Sequence, residues 1–544
     1  MRISIATAMA TCAMGGLMKG ALGQVGDIAT SRSYWLLALT AIAVIGPFMW
    51  PVQWSGNEIN YFDLSYRFAQ PDAFTDSHAV FDDSKGRIVS FLLIGNVITL
   101  AGFEAAKTIF ALTLWLLSAL GVAAIARDFG LRVAELALSL LIFCQSAQGI
   151  LGNEWMFDTI EAKVFAYAAV FLAITSALNG RWIMAMIALA VATYMHFLVG
   201  GFWAVTLVLL HLLKTGRMWQ SARLAIGFFL LILPLFFVLI RERIGVEVDT
   251  SGLDRSLNAI YTELSAHFHV APLLDGIRHF LKAWLPGACV HLALLIALVM
   301  LRDRFRDRAL LIWLIGLNVY VLLALVIYML DDGRYLLAPF YLLRPAGLIC
   351  LMSLLALAHM LSELVEQDQR PRLALATCTA VLLLLLPQAL GSLAQIVTRY
   401  PPHIRLEAAL SASERDILSW IRTNTAPNAA IVVQEAIAGG SILEGDPFPG
   451  GMERLSGRGF VVNFKYIPTS KPDVVRWYQL LQARRAFFDG ECTKNTALRA
   501  DYAVIRLRSG TAAADCVTTV FSNNEFLIGR ILPEGADRID PQRP

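Results

Sequence analysis

Long apolar runs separated by short polar loops repeat along the chain from residue 34 to residue 397. Several of these runs hold about 18 or more apolar residues, the length that an α-helix needs to cross a bilayer. The pattern therefore predicts an α-helical multi-pass membrane protein. The composition agrees, because 57% of the 544 residues are hydrophobic and 16% are charged, whereas soluble domains have about a quarter of charged residues.

Basic residues in short loops indicate the cytoplasmic side of a membrane protein and order the spans. The N-terminal segment 1–33, with Arg2, Lys19 and Arg32, is expected inside, and the arginine-rich loop 302–308 is the strongest inside marker. The alternation predicts about eleven spans, with the N-terminus in the cytoplasm and the C-terminus outside. The apolar segment 88–102 is expected to lie at the membrane interface. The predicted spans include 34–54, 106–126, 134–152, 224–240 and, as the last one, 373–397.

The chain changes character after the transmembrane region 34–398, and residues 399–544 predict a separate small α/β domain outside the cytoplasm. Cys492 and Cys516 are its two cysteines, and in an oxidising periplasm they could pair. The simplest compartment is a bacterial inner membrane with the active side in the periplasm. The expected elements of the domain are a capped helix at 411–424, strands at 430–436, 459–464 and 501–507, a helix at 472–488 and a hairpin at 516–531.

Several function classes lack their motifs in this sequence. There is no Walker loop, no HExxH, no CxxC pair and no GxSxG elbow. A nucleotide-driven pump or a soluble-type hydrolase is therefore not indicated, and a net charge of +3 is too small to suggest a nucleic acid partner. What remains is a set of polar groups on the predicted outer side.

The acid-rich loop 54–87 directly follows the first span and supplies the first candidates, Glu58 and Asp63. If 61–68 is helical, its aromatic residues flank Asp63 near the lipid interface. Partial desolvation there would favour a carboxylate that acts as a general base. The alternative is a polar interfacial helix with ordinary solvated charges.

A second acidic group lies in the stretch 153–163. Glu154, Asp158 and Glu161 are spaced at i, i+4 and i+7, so a helix would present all three on one face. Like charges in that arrangement repel unless a cation or a metal ion lies among them. The alternative is a solvated helix end, at which acids favour the N-terminus.

The predicted outer side also carries basic residues that could bind a phosphate, namely Lys163, Arg334 and Arg344. Read as part of a helix continuing from Tyr335, Arg344 lies below the outer surface and needs a partner, such as a lipid phosphate or an acid of the second loop. A snorkelling arginine is the alternative. His196, at the tip of the hairpin between two spans, is a candidate proton carrier or a structural histidine.

This layout resembles the GT-C superfamily of multi-span glycosyltransferases that use polyprenyl-phosphate-linked sugars. The shared features are a long acidic first outer loop, an interfacial helix before the second span, further acids in the second outer loop and a C-terminal outer domain. In that family a first-loop carboxylate, often within an adjacent acidic pair, acts as catalytic base or metal ligand. The closest positions here are Glu58 and Asp63, which are not adjacent, whereas Asp82 and Asp83 are adjacent but lie far along the loop.

The resemblance implies a sugar donor linked to a lipid phosphate and a cell-envelope glycan or protein as acceptor, and it leaves a divalent metal ion open as a cofactor. The basic stretch with Arg454, Arg458 and Lys465 in the C-terminal domain would fit a polar or anionic acceptor, or simply a protein surface. Two other classes stay open. A polysaccharide polymerase or ligase would depend on outer-loop arginines and histidines, and a transporter or flippase would be no enzyme. A catalytically inactive scaffold is a further possibility.

Overall fold

The structure is a computed structural model, and it describes most of the chain between residues 32 and 532. The described residues are 32–50, 54, 56–74, 85–148, 151, 155–157, 159–243, 248–262, 270–273, 276–331, 333–367, 410–434, 451–463, 468, 470–507 and 515–532. Within them, seven helices are long and apolar enough to cross a membrane, and four further apolar helices have 10–17 residues. The prediction of an α-helical multi-pass membrane protein is confirmed.

The helices of the membrane region follow the apolar runs of the sequence. They are α1 (Arg32–Met49), α2 (Gly56–Ala69), α3 (Ile88–Ala101), α4 (Phe103–Asp128), α5 (Val133–Ile142), α6 (Ala162–Leu178), α7 (Trp182–Met195), α8 (Phe197–Thr215), α9 (Met218–Arg243), α10 (Leu257–Tyr261), α11 (Gly276–Met300), α12 (Arg308–Leu330) and α13 (Ala346–Gln367).

Every span that the sequence predicts before residue 368 coincides with one of these apolar helices. The last predicted span, 373–397, and residues 1–31 of the N-terminal segment lie outside the described residues. The total number of spans, the orientation of the termini and the interfacial position of α3 therefore stay predictions.

Helix α2 includes the stretch 61–68, for which the sequence left a helix open, and it packs closely against α3. A Cβ atom added at Gly95 of α3 would lie 2.1 Å from the Ser65 carbonyl oxygen, so only glycine permits this approach of the two backbones. Phe62 of α2 is fully buried, and its ring meets the edge of Trp54 at 5.0 Å between centroids. The first-loop helix is thus a packed element of the fold.

The C-terminal region forms an α/β domain, as the sequence predicts. A mixed sheet has the strand order β2-β1-β3-β5-β4, with β1 parallel to β2 and β3, and with β5 antiparallel to β3 and β4. Its elements are α14 (Ala412–Asn424), β1 (Ala430–Val433), α15 (Met452–Ser456), β2 (Gly459–Phe460), α16 (Lys471–Phe488), α17 (Asn495–Leu498), β3 (Tyr502–Arg506), β4 (Val517–Ser522) and β5 (Phe526–Ile531).

Local chemistry explains the beginning and the closure of this domain. Ser411 caps α14 by accepting a hydrogen bond from the Glu414 amide, and the Glu414 side chain accepts one from the Ser411 amide. Cys492 and Cys516 form a disulfide, a pairing that the sequence allowed but left open. Of the predicted strand 459–464, Gly459 and Phe460 form β2, and the Val461 amide still donates to the Ile431 carbonyl of β1.

The C-terminal domain packs directly on α2. Residues of β1 alternate between two hydrophobic clusters, as side chains of a strand with two covered faces do. One cluster contains α16, and the other joins the domain to Tyr61 and Leu64 of α2 and to Phe91 of α3. Helix α2 therefore lies between the membrane helices and the α/β domain.

Candidate functional site

Glu58, the first acid of α2, is buried and held by two partners. Its Oε2 lies 2.8 Å from the ammonium of Lys107 on α4, and both side chains are almost fully buried. Its Oε1 accepts a hydrogen bond from the backbone amide of Ile160 at 3.0 Å. Glu58 therefore connects α2 with α4 and with the segment that precedes α6.

Asp63, the second acid of α2, faces the C-terminal domain. Its Oδ1 lies 3.2 Å from Nε of Arg454 on α15, and the Asp63 side chain is fully buried. The guanidinium carbon of Arg454 lies 4.5 Å from the ring centroid of Trp54 and 4.3 Å from that of Phe103. The sequence suggested an acceptor-binding or surface role for Arg454, but this side chain is buried against α2 and the start of α4.

Glu161 is the described member of the second acidic group. Its Oε1 accepts hydrogen bonds from Asn57 of α2 and from Thr159, each at 2.9 Å, and its Oε2 lies 3.3 Å from the Lys163 ammonium. The predicted helix through the three acids is wrong, because residues 155–157 and 159–161 are not helical and α6 begins at Ala162. Glu154 and Asp158 lie outside the described residues.

Three cations act together on the Tyr61 hydroxyl of α2. Burial raises the pKa of Tyr61, the charges of Arg87, Lys163 and Arg344 lower it, and that of Glu161 raises it. The Arg87 guanidinium lies 5.1 Å from the centre of the Tyr61 ring. We call Arg87, Lys163 and Arg344 the cation cluster. Three separate segments supply it: the end of the first loop, the start of α6 and the segment before α13.

Arg344 bonds to a histidine and not to an acid. Its guanidinium donates to Nε2 of His196 at 2.8 Å, and its carbon lies 4.3 Å from the Tyr341 ring centroid. Because the guanidinium only donates, Nε2 of His196 is the acceptor in this bond.

The predicted helix from Tyr335 through Arg344 is wrong. The backbone has positive φ at Tyr335 and Tyr341, and α13 begins only at Ala346. Two such residues within a short segment interrupt any helix, because the left-handed region is unfavourable for residues with a Cβ atom. Arg334 is exposed and is not among the charges that act on Tyr61.

Sequence reasoning missed Lys107, Arg87 and the position of Arg454. Lys107 had a usable signal, since a single lysine near the start of an apolar span needs a partner. Arg87 carried none beyond its place at the end of the acidic loop. The contact between Arg454 and Asp63 joins positions so far apart in sequence that no local pattern indicates it.

The described carboxylates do not fit a divalent metal ion well. Glu58, Asp63 and Glu161 each have an ammonium or guanidinium group at their oxygens, and a metal would have to compete with that cation. Among the residues that the structure describes, no group of three or more His, Cys, Asp or Glu side chains is arranged to hold a metal.

Comparisons with known proteins give limited similarity. No protein-family model matches the sequence, and no curated protein matches it significantly. The crystal structure of ArnT from Cupriavidus metallidurans bound to undecaprenyl phosphate is 13% identical, with a TM-score of 0.48, and the match covers 93% of this chain and 99% of that one. The apo structure of the same ArnT is 14% identical, with a TM-score of 0.38 over 94% and 98% of the two chains. At these values neither similarity decides the function, which must be argued from the site.

Proposed function

We propose that this protein is a membrane glycosyltransferase that moves a sugar from a polyprenyl-phosphate-linked donor to a cell-envelope acceptor at the periplasmic face of the bacterial inner membrane. The observation that carries the proposal is the position of the cation cluster beside α2: Arg87 lies over the ring of Tyr61, and Lys163 pairs with Glu161, which bonds to Asn57 of α2. A donor of this class combines an anionic phosphate with a long apolar chain. Cations next to apolar membrane helices suit both parts.

The cation cluster is proposed to bind the donor phosphate. Arg87, Lys163 and Arg344 bring three positive charges to one site, and Glu161 offsets one of them. The remaining positive charge would stabilise the phosphate as it leaves with the electron pair of the broken C–O bond. Such preorganised charge is typically the largest contribution to catalysis.

Glu58 is the first-loop carboxylate best placed to act as the base. It bonds to the Ile160 amide, and its neighbour Asn57 bonds to Glu161, so Glu58 lies against the same segment that supplies Lys163. In the proposed step the acceptor oxygen attacks the anomeric carbon opposite the phosphate, and its proton passes to Glu58. The anomeric centre inverts. General-base assistance of this kind contributes about 10²–10⁴-fold. Asp63, which faces Arg454, is the second candidate.

The test is transfer of radiolabelled sugar from polyprenyl-phosphate donors in membranes that carry the wild type, Glu58→Gln or Asp63→Asn. We expect transfer by the wild type and its loss in Glu58→Gln, with transfer expressed per folded, inserted molecule because Glu58→Gln also breaks the buried pair with Lys107. Persistent transfer in both variants would refute a first-loop base and direct attention to Glu161. No transfer by correctly inserted wild type from any donor would refute the proposal.

The cation cluster is tested by donor affinity. Arg87→Gln and Lys163→Gln should each raise the donor KM, because each removes a charge that faces the phosphate. Arg334→Gln is the matched control, since this arginine is exposed and outside the cluster. An effect of Arg334→Gln as large as that of Lys163→Gln would contradict the assignment of the cluster.

A polysaccharide polymerase or ligase is the second candidate function, favoured by the bond between Arg344 and His196. Such an enzyme would depend on this pair more than on the acids of α2. Loss of polymer formation in His196→Gln, with unchanged activity in Glu58→Gln, would favour it over the glycosyltransferase.

A further inference from the structure

One buried arginine of the C-terminal domain, Arg454, contacts the helix that carries the candidate base. Arg454 lies in α15, a five-residue helix with positive φ at Gly451 before it and at Gly457 after it. Its side chain is 7% exposed, and that of Asp63 is 0% exposed. A guanidinium group removed from water needs compensation, which the Asp63 carboxylate and the faces of Trp54 and Phe103 provide.

Trp54 links this contact to Glu58. The ring that contacts Arg454 also contacts the ammonium of Lys107, at 4.7 Å from the ring centroid. Lys107 in turn forms the ion pair with Glu58 at 2.8 Å. A continuous series of contacts therefore leads from Arg454 through Trp54 and Lys107 to the proposed base.

The same arginine also holds the helix that carries the base. Asp63 lies on α2 five positions after Glu58, and the adjoining Met452 of α15 packs in one hydrophobic cluster with Tyr61 and Leu64 of α2. The ion pair fixes α2 at Asp63, and the cluster fixes the side of α2 that faces the C-terminal domain.

We infer that Arg454 is a positioning residue, through which the C-terminal domain sets the position of α2 and the geometry of Glu58. This inference rests on the proposed glycosyltransferase function. It assigns the domain a part in the catalytic step, whereas the residues expected to bind the donor phosphate all come from the membrane region.

The test compares kinetics of the purified full-length protein in lipid nanodiscs, with a polyprenyl-phosphate sugar as donor. Arg454→Met keeps most of the side-chain volume and removes the charge. We expect kcat per folded molecule to fall on the order of 10²-fold, the effect of displacing a catalytic group by about 1 Å. The donor KM should not change, because the cation cluster is untouched.

Arg454→Lys and Arg458→Met serve as matched variants. Lysine at 454 keeps a positive charge beside Asp63 and the two rings, so part of kcat should return. Arg458 lies four residues later and bonds only to groups of its own domain among the contacts found, including the carbonyls of Arg422 and Thr425. Arg458→Met should lower the thermal midpoint without lowering kcat per folded molecule.

The double variant Arg454→Met/Asp63→Asn separates positioning from catalysis by Asp63 itself. With both charges removed position 63 no longer holds a buried carboxylate without its cation, so the thermal midpoint should return towards the wild type and kcat should exceed that of Arg454→Met alone. If the double variant and Asp63→Asn are both stable and both inactive, Asp63 is the base. That result would overturn the inference.

Other outcomes are equally informative. Unchanged kcat in Arg454→Met, with only a lower thermal midpoint, would reduce Arg454 to a structural anchor and overturn the positioning role. An inactive wild type would refute the glycosyltransferase and with it this role. The thermal midpoints of the two single variants and the double variant would still report whether Arg454 and Asp63 interact, so the two failures are distinguishable.

Discussion

Replacement of Lys107 by methionine would leave Glu58 as a buried carboxylate without its cation. The Glu58 side chain is 4% exposed and that of Lys107 is 1% exposed, so water cannot take the place of the ammonium. One hydrogen bond, from the Ile160 amide, would still reach the carboxylate. We therefore expect Lys107→Met to destabilise the protein strongly.

The magnitude follows from the distance between the charges. At 2.8 Å and an effective dielectric constant of about 20, the attraction is about 6 kcal/mol. The desolvation of both groups offsets much of this attraction in the intact pair. Removing one partner of a buried pair costs about 3–5 kcal/mol, which is the expected loss for Lys107→Met and also for Glu58→Gln.

The same loss complicates any test of Glu58 as the base. Glu58→Gln abolishes the proposed proton transfer, but it also leaves the Lys107 ammonium buried without a carboxylate. The double variant Glu58→Gln/Lys107→Met removes both charges and keeps a side-chain oxygen for the Ile160 amide. Its stability should lie within about 1 kcal/mol of the wild type.

The assay combines thermal unfolding in detergent with sugar transfer in membranes. If Glu58 is the base, the double variant is as stable as the wild type and does not transfer sugar. If Glu58 is only structural, the double variant regains transfer. Lys214→Met is the matched control. The side chain of Lys214 is 21% exposed and that of its partner Asp307 is 39% exposed, so this ion pair should contribute only about 0–1 kcal/mol to stability. Equal thermal midpoints for Lys107→Met and Lys214→Met would refute the reasoning.

Two further predictions concern stability. Gly200→Ala should destabilise the contact of α7 and α8 by about 1–3 kcal/mol, because the added Cβ would lie 2.2 Å from the Thr193 amide nitrogen. Gly201→Ala, whose Cβ would meet no atom within 4 Å, should be neutral or slightly stabilising. The thermal midpoints of the two variants check this prediction, and the reverse order would contradict it. Reducing the disulfide between Cys492 and Cys516, with a sequence separation of 24, should lower the stability of the α/β domain by about 3 kcal/mol. The rate of proteolysis of that domain with and without reductant measures the effect. Equal proteolysis rates would contradict the prediction.

The site depends on contacts that no sequence pattern could supply. The sequence identified Glu58, Asp63, Glu161, Lys163 and Arg344 as candidates, because charged residues next to apolar spans need an explanation. It did not predict their partners. Glu58 meets a lysine 49 positions away, and Arg344 meets a histidine 148 positions away.

The sequence by itself determined the apolar helices up to α13, the capped helix α14 and the strands β1 and β3. Each of these follows from a short-range signal: the length of an apolar run, a capping box, or a β-branched run bounded by turn residues. Only the tertiary structure decided that 155–157, 159–161 and 335–345 are not α-helical and that Arg454 faces Asp63. Packing decides which opposite charges come close to one another. Desolvation makes an unpaired buried charge costly, however far along the chain its partner lies.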